Sequence, residues 1–493
     1  MSYSKRAIRA SLFAFVSALF VAVIGYLIRI ILARNLSVED YGLYFAVFAF
    51  VSFVLFFRDF GLGSALIKYI AEYRVKSQHP EIKTSIYSVF YSLLAFSLIY
   101  GLLLFFGAPY ISTYYFKDER ALLLLYFFIA YILFSALTIF LKSIFQGFQK
   151  IKTFSMVEVV RMIFVLILIL IFLKLDYNIY SPIFAQVISW ILVFLIFLPF
   201  FFKTFPYFKY RTKNLLSITK NLYSFGFAVT FTQIGSKIIS RADTLMLTYF
   251  TSLTDVGIYN VVLPSALLFL FFGTSISTIL YPMVSELWAK KDKKRLSEGI
   301  QLVYKYTFII AIPLFLAFFA FSQVFIRLMF GEGYIGGVLT FQILLLGILF
   351  YLVAGINNNI LAGIGKPKIV TKIILLTAGI NIILNLIMIP LFGISGAGIA
   401  TSFSYVLVMV MSTRSVSNYV QISIPWKEWI KTFLIGGIFL VVIYSIKEFL
   451  NINIWLKIII SISIASAIYL LSLYFLKIID VKEIKKYIRK VLH

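Results

Sequence analysis

Near its start the chain reads Ser37-Val38-Glu39-Asp40-Tyr41-Gly42-Leu43-Tyr44, and in its second half it reads Ser252-Leu253-Thr254-Asp255-Val256-Gly257-Ile258-Tyr259. The two octapeptides share Ser, Asp, Gly and Tyr in register. At nearly the same offset, residues 147–152 match residues 363–368 and keep one glycine and two lysines. An internal repeat in a strongly apolar chain is typical of transporters built from two membrane-embedded halves. We therefore expect two copies of one helical half.

The repeated Ser-x-x-Asp pattern predicts the start of a helix in each half. The side chains of Ser37 and Ser252 are expected to accept hydrogen bonds from free N–H groups of the first turn, with the acidic residue reaching back. Gly42 and Gly257 are expected to permit close helix packing. In an alternative interpretation, Glu39-Asp40 is the acidic pair of a membrane glycosyltransferase, although no extramembrane catalytic domain follows it.

Composition indicates that most of the chain lies in a membrane. Apolar residues make up 62% of the 493 residues, charged residues make up 13%, and the mean hydropathy is +1.00. About fourteen apolar runs are long enough to cross a hydrocarbon core roughly 30 Å thick as helices. The predicted spans are 8–32, 41–66, 84–107, 121–143, 153–173, 181–202, 219–249, 256–284, 299–322, 336–362, 369–390, 394–413, 428–446 and 455–476. The predicted fold class is an all-α integral membrane protein.

The basic residues predict the orientation of these spans. Most of the 45 Lys and Arg residues fall in alternate loops and at both termini, which the positive-inside rule assigns to the cytoplasm. The net charge of +26 is then mainly a topology signal. Basic clusters such as 290–295 and 482–490 are expected to anchor the chain on anionic lipid and not to bind nucleic acid. The sequence predicts a multi-pass protein of the cell membrane, with an uncleaved first span and both termini cytoplasmic.

The repeat also predicts the domain organisation. The polar stretch 203–220 joins spans 6 and 7, so a six-helix lobe over 1–210 is expected to precede a six-helix lobe over 211–420. Two further transmembrane helices and a basic cytoplasmic tail would then occupy 421–493. Because six is an even number of crossings, both lobes enter the membrane in one orientation, and a pseudo-two-fold axis along the membrane normal should relate them.

The residue inventory limits the chemistry. The chain has no cysteine and only two histidines, so we predict no disulfide, no metal site and no cofactor. A Gly-x-x-x-x-Gly-Lys-Ser/Thr loop is absent from the sequence, which disfavours direct ATP hydrolysis. We therefore expect secondary coupling to a proton or sodium gradient and a transporter, not an enzyme. The candidate ion carriers are the three acids within predicted spans, Asp59, Asp243 and Glu158.

Ionisable side chains within spans are informative because each costs about 2.5–3.5 kcal/mol at a helix centre unless water or a partner reaches it. Cations outnumber acids there. The cations are Arg29, Arg58, Arg161, Lys237, Arg241 and Lys305. Glu158 and Arg161 are three residues apart and are expected to form an ion pair on one helical face.

Span 7 carries the most polar helical face. Gln233, Lys237 and Arg241 are spaced four residues apart, so they share one face of a helix, and Asp243 points away from it. Such a face cannot meet lipid. Two interpretations stay open: a water-filled central cavity that binds an anion, or a structural ion-pair network with Asp59 or Glu158 of the first half.

Several stretches resemble the polysaccharide-biosynthesis flippases, the Wzx-type transporters of the multidrug/oligosaccharidyl-lipid/polysaccharide exporter superfamily. The resemblance covers essentially the whole chain. The stretches that carry it are Arg34 to Tyr44, Arg58-Asp59-Phe60-Gly61-Leu62-Gly63-Ser64-Ala65, and Arg241-Ala242-Asp243-Thr244 to Gly257-Ile258-Tyr259.

This resemblance implies a MATE-like, V-shaped transporter that turns lipid-linked oligosaccharides from the cytoplasmic to the outer leaflet by alternating access. The substrate would be a glycan on a polyprenyl phosphate or diphosphate, its tail staying among the membrane lipids. The head group would occupy a cationic cavity to which Lys237, Arg241, Arg29, Arg58 and Gln233 contribute. A multidrug or cation antiporter on the same scaffold is the alternative, and its cavity would be expected to hold more acids.

Overall fold

A computed structural model of the chain describes residues 3–205, 209–422, 424–450 and 452–479. Within these ranges the regular structure is helical and no strand occurs, so the predicted all-α class is confirmed. The α-helices are α1 (Tyr3–Asn35), α2 (Val38–Phe56), α3 (Leu62–Val75), α4 (His79–Tyr110), α5 (Arg120–Gly147), α6 (Ile151–Lys174), α7 (Ser181–Thr204), α8 (Leu215–Phe250), α9 (Leu253–Leu267), α10 (Leu270–Ala289), α11 (Lys293–Ala320), α12 (Ser322–Phe330), α13 (Val338–Gly363), α14 (Pro367–Ser417), α15 (Trp426–Phe449) and α16 (Ile454–Phe475). Most of the predicted basic tail, with the cluster at 482–490, lies outside the described residues.

Eleven helices of the described ranges are long and apolar enough to cross a membrane, which makes this a membrane protein. The predicted number of fourteen crossings stays a prediction. One of the eleven, α14, contains predicted spans 11 and 12, and it bends sharply between them at Gly393, whose φ is +54°. The two C-terminal spans correspond to α15 and α16.

The prediction that span 2 is one unbroken helix over 41–66 was wrong. Helix α2 ends at Phe56 and α3 begins at Leu62. Between these helices the Asp59 side chain provides an acceptor for the backbone, since its Oδ1 accepts from the Gly61 N–H at 3.1 Å. Gly61 has a left-handed φ of +70°, and a Cβ there would also overlap a carbonyl oxygen of α8. Span 8 is likewise divided, between α9 and α10.

The chain forms two compact units. Unit 1 runs up to Val261 and includes Asn385–Ile394, and unit 2 comprises Val262–Leu384 and the chain from Ser395 onward. Helix α8 packs in unit 1 against α2, α3 and α4. The lobes predicted from the repeat, 1–210, 211–420 and 421–493, stay a prediction about repeated segments, and they do not coincide with these compact units.

The second repeated segment forms the same turn in both copies. It follows the ends of α5 and α13, where Gln149 and Gly365 have φ values of +59° and +78°. The next amides, of Lys150 and Lys366, each donate to the carbonyl five residues earlier at 2.8 Å. The repeat seen in the sequence is therefore also a repeat of backbone geometry.

The first repeated segment begins α2 and α9 as predicted. The Ser37 Oγ accepts from the Asp40 N–H at 3.0 Å, and the Ser252 Oγ accepts from the Asp255 N–H at 3.1 Å. In the second copy the Asp255 carboxylate also accepts from Ser252, which completes a capping box. The interpretation of these motifs as helix starts is confirmed.

The two copies of this segment pack against each other within unit 1. A Cβ on Gly42 of α2 would overlap the carbonyl oxygen of Leu253, and a Cβ on Gly257 of α9 would overlap that of Val38. Only glycine lets the two backbones approach so closely. The predicted role of both glycines in close helix packing is confirmed.

Candidate functional site

The polar face predicted for span 7 is exposed on α8. Its members are Gln233, Ser236, Lys237, Ser240 and Arg241, of which the first four are exposed and Arg241 is partly buried. Neighbouring positions on the other side of the helix, including Asp243 and Thr244, are buried. We call the five residues the α8 polar face.

The two cations of the α8 polar face each lie near an aromatic ring. The Lys237 Nζ lies 5.9 Å from the centre of the Phe56 ring, and the Arg241 Cζ lies 5.6 Å from that of Phe48. In the described part of the chain, no carboxylate lies within ion-pairing distance of either cation. The predicted alternative, in which Asp59 or Glu158 neutralises them, is not formed among these residues. Their charges are available to an anionic ligand.

Arg29 adds a third charge to this region. Its Nη1 donates to the Asn260 carbonyl oxygen at 3.0 Å, and its guanidinium lies 4.5 Å from the centre of the Phe45 ring. Arg29 and Arg241 lie beside Phe45 and Phe48, which are three residues apart on α2, so the two positive charges are neighbours and repel each other. An anion near both guanidinium groups would relieve that repulsion.

Arg58 has a different environment. Its side chain is only 5% exposed, and its Nη1 donates to the Ile132 carbonyl oxygen at 2.6 Å and to the Ser135 Oγ at 3.0 Å. These bonds join the break between α2 and α3 to α5. The predicted role of Arg58 in binding substrate in the cavity stays a prediction. Its hydrogen bonds to α5 fit a structural role better.

Glu158 lies in a cluster of three charges joining α5 and α6, which we call the charge triad. The predicted pair with Arg161 is confirmed: the Arg161 Nε and Nη2 donate to the Glu158 Oε1 at 2.9 and 2.5 Å. Lys142 completes the charge triad by donating to the Glu158 Oε2 at 2.9 Å. Sequence reasoning missed Lys142 as an intramembrane charge because it lies at the margin of predicted span 4. As the partner of two cations, Glu158 is a poor candidate for an ion carrier.

Asp243 is the acid most deeply placed among the three predicted ion carriers. It is 2% exposed, and its Oδ2 accepts from the Tyr259 hydroxyl at 2.5 Å. Its Oδ1 accepts from the Asn385 amide at 2.7 Å, which connects α8 to α14. Asp59, in contrast, is partly exposed and caps the turn at Gly61.

The acids proposed for a glycosyltransferase are held by one arginine. Arg120 at the start of α5 donates to the Asp40 Oδ1 at 2.7 Å, to the Asp118 Oδ2 at 2.6 Å and to the Glu39 carboxylate. A general acid or nucleophile in that role would need a carboxylate free to meet substrate. The arrangement instead ties the start of α2 to the start of α5.

Replacing Arg120 by Gln should destabilise the protein and reduce its sensitivity to acid. Burial raises the pKa of Asp118 and the bonds and charge of Arg120 lower it, leaving the pKa below its ordinary value of 3.8. A lowered pKa in the folded state stabilises the protein above the unfolded pKa, and that stabilisation disappears as the pH falls through the folded pKa. The thermal unfolding midpoint of the parent should therefore decrease once the pH is lowered below about 4. The midpoint of Arg120→Gln should be lower than that of the parent at pH 7 and should decrease less in acid. Identical pH profiles for the two proteins would contradict this assignment.

The chain is similar in sequence to known families and proteins. The family model for polysaccharide biosynthesis proteins matches residues 8–288, and the MatE family model matches residues 228–387. The chain is 33% identical to an uncharacterized membrane protein of Methanocaldococcus jannaschii, with 100% of both chains covered. It is 22% identical to the probable low-salt glycan biosynthesis flippase Agl15 of Haloferax volcanii, over 51% of this chain and 53% of that protein.

A solved structure has a similar fold. The lipid II flippase MurJ, in an inward closed conformation, aligns with a TM-score of 0.77 and 20% identity, covering 94% of this chain and 99% of that chain. At this identity the similarity shows the fold and does not identify a substrate.

Proposed function

The chain belongs to the polysaccharide biosynthesis protein family, and we therefore propose that it is a flippase for lipid-linked oligosaccharide. It moves its substrate from the cytoplasmic to the outer leaflet of the cell membrane. The observation that carries this proposal is the exposed α8 polar face, whose two cations have no carboxylate partner in the described part of the chain. A relative named as a probable flippase of glycan biosynthesis supports the same class of substrate.

The chemistry of the substrate explains the need for such a face. A sugar–phosphate head group cannot cross hydrocarbon unaided, because its hydroxyls and charges would lose their water. Lys237 and Arg241, with Arg29 nearby, can replace that water around a phosphate or diphosphate. Gln233 and the two serines of the face can hydrogen-bond sugar hydroxyls. The polyprenyl tail stays in the lipid while the head group moves by alternating access.

A transport assay tests the proposal directly. Purified protein would be reconstituted into liposomes with a fluorescently labelled lipid-linked oligosaccharide, and outer-leaflet label would be measured with a membrane-impermeant quencher. We expect protein-dependent exchange of the label between leaflets. Exchange no faster than in protein-free liposomes, with folded protein present, would contradict the proposal.

We propose Asp243 as the residue that couples transport to a proton or sodium gradient. It is buried, and its carboxylate binds two other helices of the fold through Tyr259 and Asn385. A change in the charge or the bound ion of Asp243 would therefore alter contacts between α8, α9 and α14. Both the identity of the ion and the role of Asp59 stay predictions.

Asp243→Asn should retain flipping down a substrate gradient and lose stimulation by an ion gradient. The substitution keeps the size of the side chain and an acceptor for Asn385, but it removes the charge that responds to the ion. The measurement is the liposome flipping rate with and without imposed proton and sodium gradients, with the exposed Asp176→Asn as control. Equal stimulation of the parent and of Asp243→Asn would exclude Asp243 as the coupling residue.

A cation antiporter is the second candidate, favoured by the MatE family match over residues 228–387. A cationic drug would meet repulsion from Lys237, Arg241 and Arg29, so the charge of the α8 polar face favours an anionic head group. We infer a transporter, and the ion pairs of Arg120 with Glu39 and Asp40 argue against the glycosyltransferase alternative. The cytoplasmic position of both termini follows from the basic loops and is part of this proposal.

A further inference from the structure

The charge triad has a net positive charge. One carboxylate, that of Glu158, is shared by Lys142 and Arg161, so the triad has a net charge of one positive unit. The side chains are 22%, 25% and 11% exposed for Lys142, Glu158 and Arg161, respectively. The charge triad is thus partly accessible and not sealed in the core.

Lys142 of the charge triad lies toward the opposite end of unit 1 from Arg29, whereas Met162, the neighbour of Arg161, packs against Gly25, one turn before Arg29 on α1. Helix α5 begins at Arg120, which contacts Asp40 at the start of α2, and α1 ends just before that start, close to Arg29. Lys142 is near the other end of α5, roughly 30 Å further along at 1.5 Å per residue. The loop that follows α5 carries Lys150, and the positive-inside rule places that loop in the cytoplasm.

Arg161 is held in a fixed orientation. Its Nη1 donates to the Gln186 Oε1 at 3.0 Å, and its guanidinium lies 4.5 Å from the centre of the Trp190 ring. A guanidinium fixed by its neighbours loses little conformational freedom when it binds a phosphate with two parallel hydrogen bonds. The centre of the Trp190 ring lies 6.1 Å from that of Tyr131, which lies 6.3 Å from that of Phe48, the ring beside Arg241. A row of aromatic rings therefore connects the charge triad with the site proposed above.

We propose that the charge triad is the first docking site for the phosphate of the substrate, with Glu158 as a counter-ion that the phosphate displaces. The inference rests on the proposed flippase function and extends it to the cytoplasmic loading step. Without substrate, Glu158 satisfies two cations that would otherwise be unpaired in the bilayer. A phosphate brings more negative charge and more acceptor oxygens than one carboxylate, so it can replace Glu158. When Glu158 returns to Arg161 and Lys142, it releases the phosphate toward Lys237 and Arg241.

Binding of an isoprenyl diphosphate to Glu158→Gln tests this site. The protein would be placed in nanodiscs of zwitterionic phosphatidylcholine, and the Kd of farnesyl diphosphate would be measured at constant salt. Because Gln removes the competing charge, we expect the affinity to rise about tenfold over that of the parent. Farnesol, which has no phosphate, should show no difference between the two proteins.

A charge-matched variant separates electrostatics from damage to the fold. Lys142→Gln/Glu158→Gln has the same net charge in the charge triad as the parent, and it should bind farnesyl diphosphate with nearly the parent affinity. Adding Arg161→Gln removes the remaining cation, and the affinity should fall about tenfold. This second comparison serves if Glu158→Gln alone does not fold.

Two results would overturn the docking site. They are an affinity of folded Glu158→Gln no higher than that of the parent, or equal affinities for the double and triple variants. If either occurs while the parent flips labelled lipid-linked oligosaccharide, only the docking site is wrong. If the parent does not flip, the proposed function itself fails, whatever the binding results.

Discussion

Replacing Lys237 and Arg241 together by alanine should reduce flipping of lipid-linked oligosaccharide by about 100-fold or more. Both side chains are at least partly exposed, and neither has a carboxylate partner in the ranges that the structure describes. Each alanine substitution removes one charge-assisted hydrogen bond to the phosphate, and such bonds contribute roughly 1.5–3 kcal/mol each. The liposome assay should therefore show a rate close to that of protein-free vesicles.

Two controls define the cause of this loss. Lys220→Ala removes an exposed lysine from the same helix but outside the α8 polar face, and it should flip at the parent rate. The exchange Lys237→Arg/Arg241→Lys keeps both charges and should keep most of the activity. Parent-like flipping by the double alanine variant, at equal abundance in the liposomes, would refute the cationic face as the head-group site.

Gly42→Ala and Gly257→Ala should each destabilise the protein by about 2 kcal/mol or more. Each added methyl group would overlap a backbone carbonyl oxygen of the facing helix, of Leu253 or of Val38. A backbone group cannot rotate away as a long side chain can, so α2 and α9 would have to separate. The thermal midpoint of the detergent-solubilised protein should fall by several degrees in each variant.

Gly379→Ala is the matched control for these substitutions. Gly379 also lies in a helix, but a Cβ there would meet no heavy atom within 4 Å. Because alanine favours the helix by about 1 kcal/mol over glycine, this variant should be as stable as the parent or more so. The double variant Gly42→Ala/Gly257→Ala should lose less than the sum of the single losses, since both methyl groups force apart the same contact. Midpoints equal to that of Gly379→Ala would show that the contact does not contribute to stability.

Several elements of the fold and the site could be predicted from local sequence. The serine caps at 37 and 252 were predictable because a cap depends on residues three positions apart. The exposed polar face of α8 was predictable because spacings of four residues place side chains on one side of a helix. The pair of Glu158 with Arg161 followed from the same geometry. The break at Asp59–Gly61 was missed because the apolar run continues through it.

Residue composition and spacing alone identify this chain as a membrane protein with repeated segments and a surplus of intramembrane cations. Composition, repeat and charge spacing are properties of the chain, and the poor solvation of polar groups in lipid makes them decisive. The partner of each charge depends instead on the packing of the helices. In the folded chain Arg58 is buried against α5 and Lys237 is exposed, while Lys142 binds Glu158 and Asn385 binds Asp243. Those pairings depend on how helices distant in the chain pack and rotate against each other, which no local pattern encodes.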